Sequence, residues 1–364
     1  MGKIFRLNNK ILFITPSFTK GGAEKNMLNI INSLSGDEFD IHLIICTNET
    51  GYLSLLNKEI KIYVLDKPNV KSALFKIFTL IGSIKPSIVF TSALHLAIPI
   101  VLFKKVSFSN FKKITRIPTL PSNKLGKNNL KSKLLNIFRD KAVNASTFVV
   151  AQTEQMKNEI VSFYHVAPQK VMVINNIVVL HTIQKRAKES VNLPKEFFYF
   201  VAAGSLYSVK GFDVLIKAFG QHIKLFPKTK LLILGKESTE KGYKKYLEDL
   251  VKELGIDDAV DLLGHQENPY KYFNFSNVFV LSSLKEGFPN VVLENLALNK
   301  PVIVTDCIDY NGVVNDKNGI IVNKGDVLAL AKAMEDIRAI EQKELSFQLS
   351  SNFDYNEWFK SIIK

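Results

Sequence analysis

Residues 278–306 read VFVLSSLKEGFPNVVLENLALNKPVIVTD, and this stretch decides how the rest of the chain is interpreted. Two apolar runs, 278–281 and 301–304, enclose a polar loop and a helix candidate. Strand, loop, helix and strand in this order indicate a parallel βαβ unit. Open α/β sheets bind their ligands beyond the carboxyl ends of the strands. The loop that follows residue 281 is therefore the first candidate for a functional site.

Two carboxylates, Glu286 and Glu294, follow the first apolar run and are eight residues apart. Pro289 suits the first turn of a helix, where its missing N–H costs nothing. Glu294 would then lie about one turn into the helix, with Glu286 on the loop. Most glutamate pairs with this spacing are simply solvated, so the spacing alone does not establish a site. The backbone N–H groups expected to face a ligand are those of Gly287, Phe288 and Asn290.

Both halves of the chain begin with the same pattern. A strand at 11–15 leads to Gly21-Gly22 and a helix at 23–35, and a strand at 199–203 leads to the loop 204–211 and a helix at 212–226. A chain of 364 residues is long enough for two domains, each with its own core. Further strands and helices alternate between these points. The pattern predicts two doubly wound α/β domains.

Composition narrows the class of protein. Hydrophobic residues make up 46% and charged residues 23%, which is ordinary for a soluble globular protein. The two cysteines, Cys46 and Cys307, lie in apparent strands and are interpreted as small buried hydrophobes, which fits a reducing cytoplasm. The longest uncharged stretch, 86–103, contains two prolines and is interpreted as a strand and a helix, not as a membrane span.

The net charge of +14 is concentrated in the first half. Residues 1–188 hold 27 Lys and Arg against 10 Asp and Glu. Within this range, the segment 104–141 holds 11 of the Lys and Arg residues and one acid. Such a patch suits anionic lipid headgroups or a lipid-linked pyrophosphate, with a merely solvated face as the alternative. No zinc-finger, helix-turn-helix or aromatic RNA-binding motif accompanies it, so a nucleic-acid partner is not expected.

Three stretches together resemble family 4 glycosyltransferases. EGFPNVVLE at 286–294, followed by PVIVTD at 301–306, is similar to the family signature, KGGAE at 20–24 resembles its N-terminal glycine loop, and GSLYSVKGF at 204–212 resembles its donor loop. The resemblance implies the GT-B fold, with two Rossmann-like domains facing across a cleft. The implied domains are an acceptor domain (1–185), a donor domain (186–345) and a C-terminal helix (346–364) that crosses back to the first domain.

The resemblance also implies a role for each matching residue. Lys210 would meet the negative charge of the diphosphate, Glu286 would contact hydroxyls of the donor sugar, and Glu294 would bind the ribose hydroxyls. The remaining donor-binding positions are Gly22, Ser205, Gly287, Phe288, Pro289 and Asn290. Because no Asp-x-Asp motif precedes the donor loop, neither a metal nor a cofactor is expected beyond the nucleotide-sugar co-substrate.

The acceptor side is carried by two candidates at predicted strand ends. His95 follows the strand at 88–91 and is a candidate catalytic residue, although a histidine among apolar residues is more often structural. Arg116 lies in a segment that resembles the family's acceptor-side loop. Two departures stand out: Ser205 replaces the arginine of the family's donor loop, and 307–312 replaces its Gly-Gly-Pro-x-Glu turn.

These features predict a retaining glycosyltransferase that moves a hexose or N-acetylhexosamine from a nucleotide sugar, expected to be UDP-linked. The expected acceptor is a glycan or lipid-linked oligosaccharide in cell-surface polysaccharide or glycoprotein assembly. The expected location is the cytoplasm, with peripheral contact of 104–141 with the inner face of the cell membrane. Two alternatives stay open at this point, a nucleotide-sugar 2-epimerase and a non-catalytic protein that binds glycan or a partner.

Overall fold

The computed structural model describes residues 9–19, 21–56, 59–124, 130–237, 240–310, 312–339 and 353–364. The chain divides into two compact units. The first unit takes Met1–Ile177 together with Asn352–Lys364, and the second unit takes Val178–Ser351. The division after Ile177 comes earlier in the chain than the boundary that the sequence suggested at 185.

The first unit is built on a parallel sheet that is buried on both faces. One of its inner strands carries Ile11, Leu12, Phe13 and Ile14, all fully buried, as expected when helices cover both sides of a sheet. Over the described residues the strand order is β3-β2-β1-β4-β5-β6-β7. The strands are β1 (Lys10–Thr15), β2 (Asp40–Ile45), β3 (Lys61–Val64), β4 (Ile88–Thr91), β5 (Lys112–Arg116), β6 (Phe148–Ala151) and β7 (Val171–Val173).

Helices with one apolar stripe connect these strands. In the second of them, Ala73, Ile77 and Ile81 are buried at helical spacing, which is the pattern of a helix packed on a sheet. The side chain of Asn69 caps its first turn by accepting a hydrogen bond from Ser72 N. The helices are α1 (Gly22–Ser33), α2 (Val70–Ile84), α3 (Leu94–Val106), α4 (Leu130–Asn144) and α5 (Glu154–Tyr164).

The second unit repeats the plan with a parallel sheet of order β10-β9-β8-β11-β12-β13 over its described residues. Its strands are β8 (Phe198–Ala203), β9 (Thr229–Leu234), β10 (Val260–Gly264), β11 (Val278–Leu281), β12 (Val302–Thr305) and β13 (Gly319–Val322). Its helices are α6 (Leu180–Ala187), α7 (Phe212–Leu225), α8 (Tyr243–Glu253), α9 (Tyr270–Phe275), α10 (Asn290–Leu296) and α11 (Val327–Asp336).

Residues 181–197 are polar and charged, which is typical of an interdomain connection, and α6 occupies the start of this segment. This helix packs on α9, and its buried residues are Ile183 and Ala187. Asn268 fixes its end by donating to Arg186 O at 2.8 Å. Because one narrow stripe is buried, most of the helix is polar, and its composition resembles that of a connection although it is a packed helix of the second unit.

The helix α12 (Tyr355–Ile363) belongs to the first unit, although the whole second unit precedes it in sequence. Phe359 lies with its ring centroid 6.5 Å from that of Phe13 in β1. Asn356 donates to Ser33 O at 3.0 Å and accepts from Ser35 N at 2.7 Å at the end of α1. The expected return of the C-terminal helix to the first domain is therefore confirmed.

Each sheet has one place where the direction of strand addition reverses. In the first unit the reversal lies between β1 and β4, and in the second unit it lies between β8 and β11. At such a point the loops after the two neighbouring strands run in opposite directions and leave a crevice, where doubly wound sheets bind ligands. The loops after β8 and β11 contain Lys210 and Glu286.

Candidate functional site

The loops after β8 and β11 are joined to each other by hydrogen bonds. Residues 208–210 form a short 3-10 turn before α7. Ser282 Oγ donates to Lys210 O at 2.9 Å, and Leu284 N donates to Val209 O at 2.8 Å. These hydrogen bonds hold the backbone of Lys210 at a fixed position relative to the second loop, independently of any contact that the Lys210 side chain makes.

A glycine allows the two loops to approach. Gly211 has φ +61°, and a Cβ built on it would lie 2.2 Å from the carbonyl oxygen of Ser282. A side chain at this position would therefore push the loops apart. Gly204 has a related role, because the aliphatic stem of Lys210 passes 3.4 Å from the place of its missing Cβ.

Gly211→Ala tests this approach. We expect the substitution to cost more than the 1–3 kcal/mol typical of a strained backbone conformation, because a clash with the Ser282 carbonyl adds to the strain. Gly255→Ala is the matched control, since Gly255 has φ +64° with no atom within 4 Å of its Cβ position. Thermal unfolding of the two variants would be compared. Equal destabilisation of the two variants would show that the close approach of Gly211 to Ser282 does not contribute to stability.

The two loops bring Lys210 and Glu286 into an ion pair. Lys210 Nζ lies 2.5 Å from Glu286 Oε1, and the two side chains are 18% and 13% exposed. Burial by itself would lower the pKa of Lys210, but the adjacent Glu286 carboxylate raises it above its ordinary value. Lys210 therefore carries a full positive charge at neutral pH, in a partly desolvated place where charge is effective.

Three hydroxyl groups, linked through hydrogen bonds to side-chain and backbone oxygens, hold Glu286 in position. Ser283 Oγ donates to Glu286 Oε1 at 2.7 Å, Thr305 Oγ1 donates to Ser283 O at 2.5 Å, and Tyr310 OH donates to Thr305 O at 2.9 Å. Burial raises the pKa of Tyr310 far above its ordinary value, so its hydroxyl keeps its proton. The phenol ring also packs edge-on against Phe288, with centroids 6.3 Å apart.

Sequence reasoning missed Ser283, Thr305 and Tyr310 as members of the site. Ser283 directly follows β11 inside the decisive stretch, and this position at a strand end was the available signal. Tyr310 lies in the segment that departs from the family's usual turn. The structure shows that this departure places a buried aromatic residue under the loop that carries Glu286.

Ser283→Ala is expected to weaken donor binding without unfolding the protein. The variant removes the hydroxyl that orients Glu286, and loss of a hydrogen bond to a charged group typically costs about 1.5–3 kcal/mol, or about tenfold or more in donor affinity. Ser276→Ala is the control, because Ser276 is equally buried and its Oγ has no hydrogen-bond partner within the described part of the chain. Calorimetric affinities that fall equally, or not at all, would contradict the positioning role.

The other predicted donor residues of the second unit lie on the same two loops and on α10. Glu294 lies in the short helix α10 and is only 3% exposed. Gly287, Phe288 and Pro289 are buried and Asn290 is half-buried at the start of that helix, while Ser205 is exposed in the loop after β8. All of these positions belong to the loops and the helix at the reversal point between β8 and β11. Their individual contacts with a donor stay predictions.

The predicted residues of the first unit lie in two different environments. Gly22 is exposed at the start of α1, after β1, and His95 is exposed in the first turn of α3, after β4. Both therefore flank the reversal point of the first sheet. Nearby, the Glu24 carboxylate covers Gly21, and burial raises the pKa of Glu24. The acceptor-side role of His95 stays a prediction.

Arg116 lies inside the first unit and not on its surface. It is 2% exposed, and its Nη2 donates to Asn176 Oδ1 at 2.5 Å. Burial lowers the pKa of Arg116 to about 10, which still leaves it charged at neutral pH. This position indicates that Arg116 holds β5 to the end of the first unit. Its direct contact with an acceptor stays a prediction.

No group of three or more His, Cys, Asp or Glu side chains within the described residues is arranged to hold a metal ion. None of the helices in the described ranges is both long and apolar enough to cross a bilayer.

Comparison with known proteins identifies the chemistry of the chain. Residues 183–353 match the family model described as glycosyl transferases group 1. An uncharacterized glycosyltransferase of Methanocaldococcus jannaschii is 32% identical over 263 residues, which cover 70% of this chain and 64% of that protein. The chain is a glycosyltransferase.

A second relative of this glycosyltransferase carries a more specific name. It is the N-acetylgalactosamine-N,N'-diacetylbacillosaminyl-diphospho-undecaprenol 4-alpha-N-acetylgalactosaminyltransferase of Campylobacter jejuni, which is 28% identical over 301 residues. The match covers 80% of this chain and 79% of that protein. A Staphylococcus aureus glycosyltransferase of capsular polysaccharide biosynthesis, CapM, is 30% identical over 217 residues and covers 56% of this chain and 55% of that protein.

Solved structures confirm the GT-B fold of this glycosyltransferase. A glycosyltransferase from Rickettsia africae has a TM-score of 0.78 at 19% identity and covers 98% of this chain and 99% of its own. HepE from Anabaena, in complex with UDP-glucose, has a TM-score of 0.78 at 17% identity and covers 97% of this chain and 98% of its own. At these identities the likeness concerns the fold alone.

Proposed function

We propose that this glycosyltransferase moves a sugar from a UDP-sugar to a lipid-linked glycan with retention of the anomeric configuration. The observation that carries the proposal is the Lys210–Glu286 pair at the reversal point of the second sheet, 2.5 Å between charged atoms. Two relatives support the substrates. HepE binds UDP-glucose, and the Campylobacter enzyme is named for an undecaprenol-linked acceptor and an alpha linkage.

In the proposed reaction, Lys210 stabilises the negative charge that develops on the diphosphate as the anomeric bond breaks. Fixed charge aimed at a developing anion is commonly the largest single contribution to catalysis. Glu286 binds hydroxyls of the donor sugar, and Glu294 binds those of the ribose. Because Ser205 stands where the family has an arginine, Lys210 is the principal side-chain cation of this loop.

The proposal needs no dedicated protein base. The acceptor hydroxyl attacks the anomeric carbon on the face that the diphosphate leaves, and the departing phosphate oxygen takes the hydroxyl's proton. A new glycosidic bond forms as the old bond to the phosphate breaks, and UDP is released. We propose that this step needs neither metal nor cofactor and that the product belongs to cell-surface polysaccharide or glycoprotein assembly.

Two measurements test the proposal in sequence. Nucleotide sugars would first be screened for protection against thermal unfolding, where a ligand at 100 times its Kd stabilises by about 2.7 kcal/mol. The protective donor would then be incubated with a lipid-linked acceptor, with and without EDTA. An alpha-configured product by NMR, unaffected by EDTA, is expected. An inverted anomeric centre would overturn the retaining mechanism, and loss of transfer in EDTA would overturn the metal-independent one.

The same incubations separate the two rival functions. A donor that is epimerised at C2 in the absence of acceptor would identify an epimerase. Failure of every nucleotide and nucleotide sugar to protect the protein would indicate a non-catalytic binding protein, the alternative that the serine at 205 keeps open. Either result would contradict the proposed function.

A further inference from the structure

Large apolar side chains are exposed at the end of α3. Leu102 and Val106 are four residues apart and therefore share one face of the helix, and Val106 is 79% exposed. Two residues beyond the helix end, Phe108 is 93% exposed, at a turn where its φ is +51°. The turn holds a whole phenyl ring in water, which is unfavourable for an isolated molecule.

The neighbouring helices continue this exposed apolar surface. Phe78 of α2 stacks on Phe103 of α3 with centroids 4.7 Å apart, and α3 packs against α4. The three helices therefore lie side by side. Their outward sides together form what we name the basic helical face. Its exposed apolar members are Phe75, Leu102, Val106, Phe108, Ile137 and Phe138.

An exposed lysine accompanies the apolar residues on each helix. Lys71 lies four residues before Phe75, Lys105 lies three residues after Leu102, and Lys141 lies three residues after Phe138. At these spacings the side chains are neighbours on the helix surface. Lys112 is also exposed, at the start of β5. The face thus alternates apolar tips with ammonium groups that can extend past them to the depth of lipid phosphates.

Charge and apolar exposure together select the partner. The four exposed lysines of this face give it a positive charge, and the segment 104–141 contains a single acid, Asp140, so a complementary surface must be anionic. Nucleic acid would satisfy the charge but would offer no apolar phase to Leu102, Val106 or Ile137. An anionic bilayer supplies both, because apolar side chains enter the boundary between headgroups and acyl chains while lysines meet the phosphates.

We propose that the basic helical face docks the protein on the surface of an anionic bilayer. The proposal deepens the proposed function, since a lipid-linked acceptor is held at such a surface, and it rests on that function for its purpose. Its evidence is independent, because the surface is formed by residues of the first unit that are not assigned to donor binding. Docking would be measured without nucleotide or acceptor.

The test is co-sedimentation of the full chain with vesicles of phosphatidylcholine alone or with about 30% phosphatidylglycerol added. We expect binding to the anionic vesicles that weakens with salt. Val106→Ser/Phe108→Ser should reduce the partition coefficient at least tenfold. Lys105→Glu/Lys141→Glu should reduce it about fivefold or more for each lysine, from the contribution of one basic residue near an anionic membrane.

The control is Leu225→Ser/Leu328→Ser, which removes two exposed leucines of the second unit and should leave binding unchanged. Protection by UDP against thermal unfolding should be equal in all variants, so a failure of vesicle binding is distinguishable from a failure of the donor site. The proposal is overturned if the wild-type protein ignores anionic vesicles. It is also overturned if the control variant loses as much binding, or if Val106→Ser/Phe108→Ser acts by breaking a dimer of this chain.

Discussion

Lys210→Ala is expected to lower kcat/KM for sugar transfer by about 10²–10³, the usual loss when a fixed group that stabilises developing negative charge is removed. Lys210 is 18% exposed and charged, so solvent water cannot replace it fully. Most of the loss should appear in kcat, because the charge on the leaving diphosphate grows as the bond breaks. Initial rates with the donor found by screening would measure the effect.

Lys285→Ala is the matched control for Lys210→Ala. It removes one lysine from the same loop region, and its side chain is exposed, so transfer should change less than twofold. A double variant, Lys210→Ala/Glu286→Gln, should lose less than the product of the two single effects, because paired residues act as a unit. Normal transfer by Lys210→Ala would refute the site assignment.

Stability of the first unit is expected to rise with pH above neutrality because of Lys113. This lysine of β5 is fully buried, and its Nζ donates to Ala142 O at 3.2 Å and to Ser146 Oγ at 3.1 Å. Burial, with a smaller contribution from the Lys104 charge, lowers its pKa to about 7. The unfolded chain, with a lysine pKa of about 10.4, therefore binds more protons between these values, and stability increases as pH rises.

The size of this effect follows from the two pKa values. Full deprotonation of the unfolded state removes a penalty of about 5 kcal/mol, and roughly a third of it is removed between pH 7 and 8.5. The range stops at 8.5 because burial raises the pKa of Cys46 to about 11. Above the ordinary thiol pKa, that shift makes a contribution of the opposite sign.

Denaturant unfolding followed by the fluorescence of Trp358 would measure this pH dependence. Trp358 is the one tryptophan of the sequence, and it packs against Phe148 of β6 in the first unit. Lys113→Met removes the titrating group at nearly constant volume, so its stability should be flatter with pH than that of the wild-type protein. Parallel curves for the two proteins would show that Lys113 is not buried in its neutral form.

The sequence predicts the parallel sheets well because buried strands are apolar on both faces. The strands β4 and β11 were predicted with the bounds that the structure has, since Ile88–Thr91 and Val278–Leu281 are short apolar runs between polar loops. Helix α6 was missed because its small buried stripe leaves few apolar residues. No element was assigned to β13 and α11, although both follow a turn.

The site was predicted less completely, because hydrogen bonds between distant residues leave no local pattern. The pair of Lys210 and Glu286 was found by resemblance, and the sheet order then explains why residues 76 positions apart meet. The support of Glu286 by Ser283 and Tyr310 depends on side-chain directions that spacing does not show. Arg116 lies at a strand end, as expected. Its side chain is buried, however, because it donates a hydrogen bond to Asn176, which is 60 residues away in the sequence.

The position of α12 affects the order in which the protein can mature during synthesis. Its Phe359 contacts both Phe13 and Phe90. Part of the sheet of the first unit therefore stays uncovered until α12 has left the ribosome. The second unit, whose residues are contiguous, has no such dependence. The first unit therefore cannot complete its core until the second unit has also been synthesised.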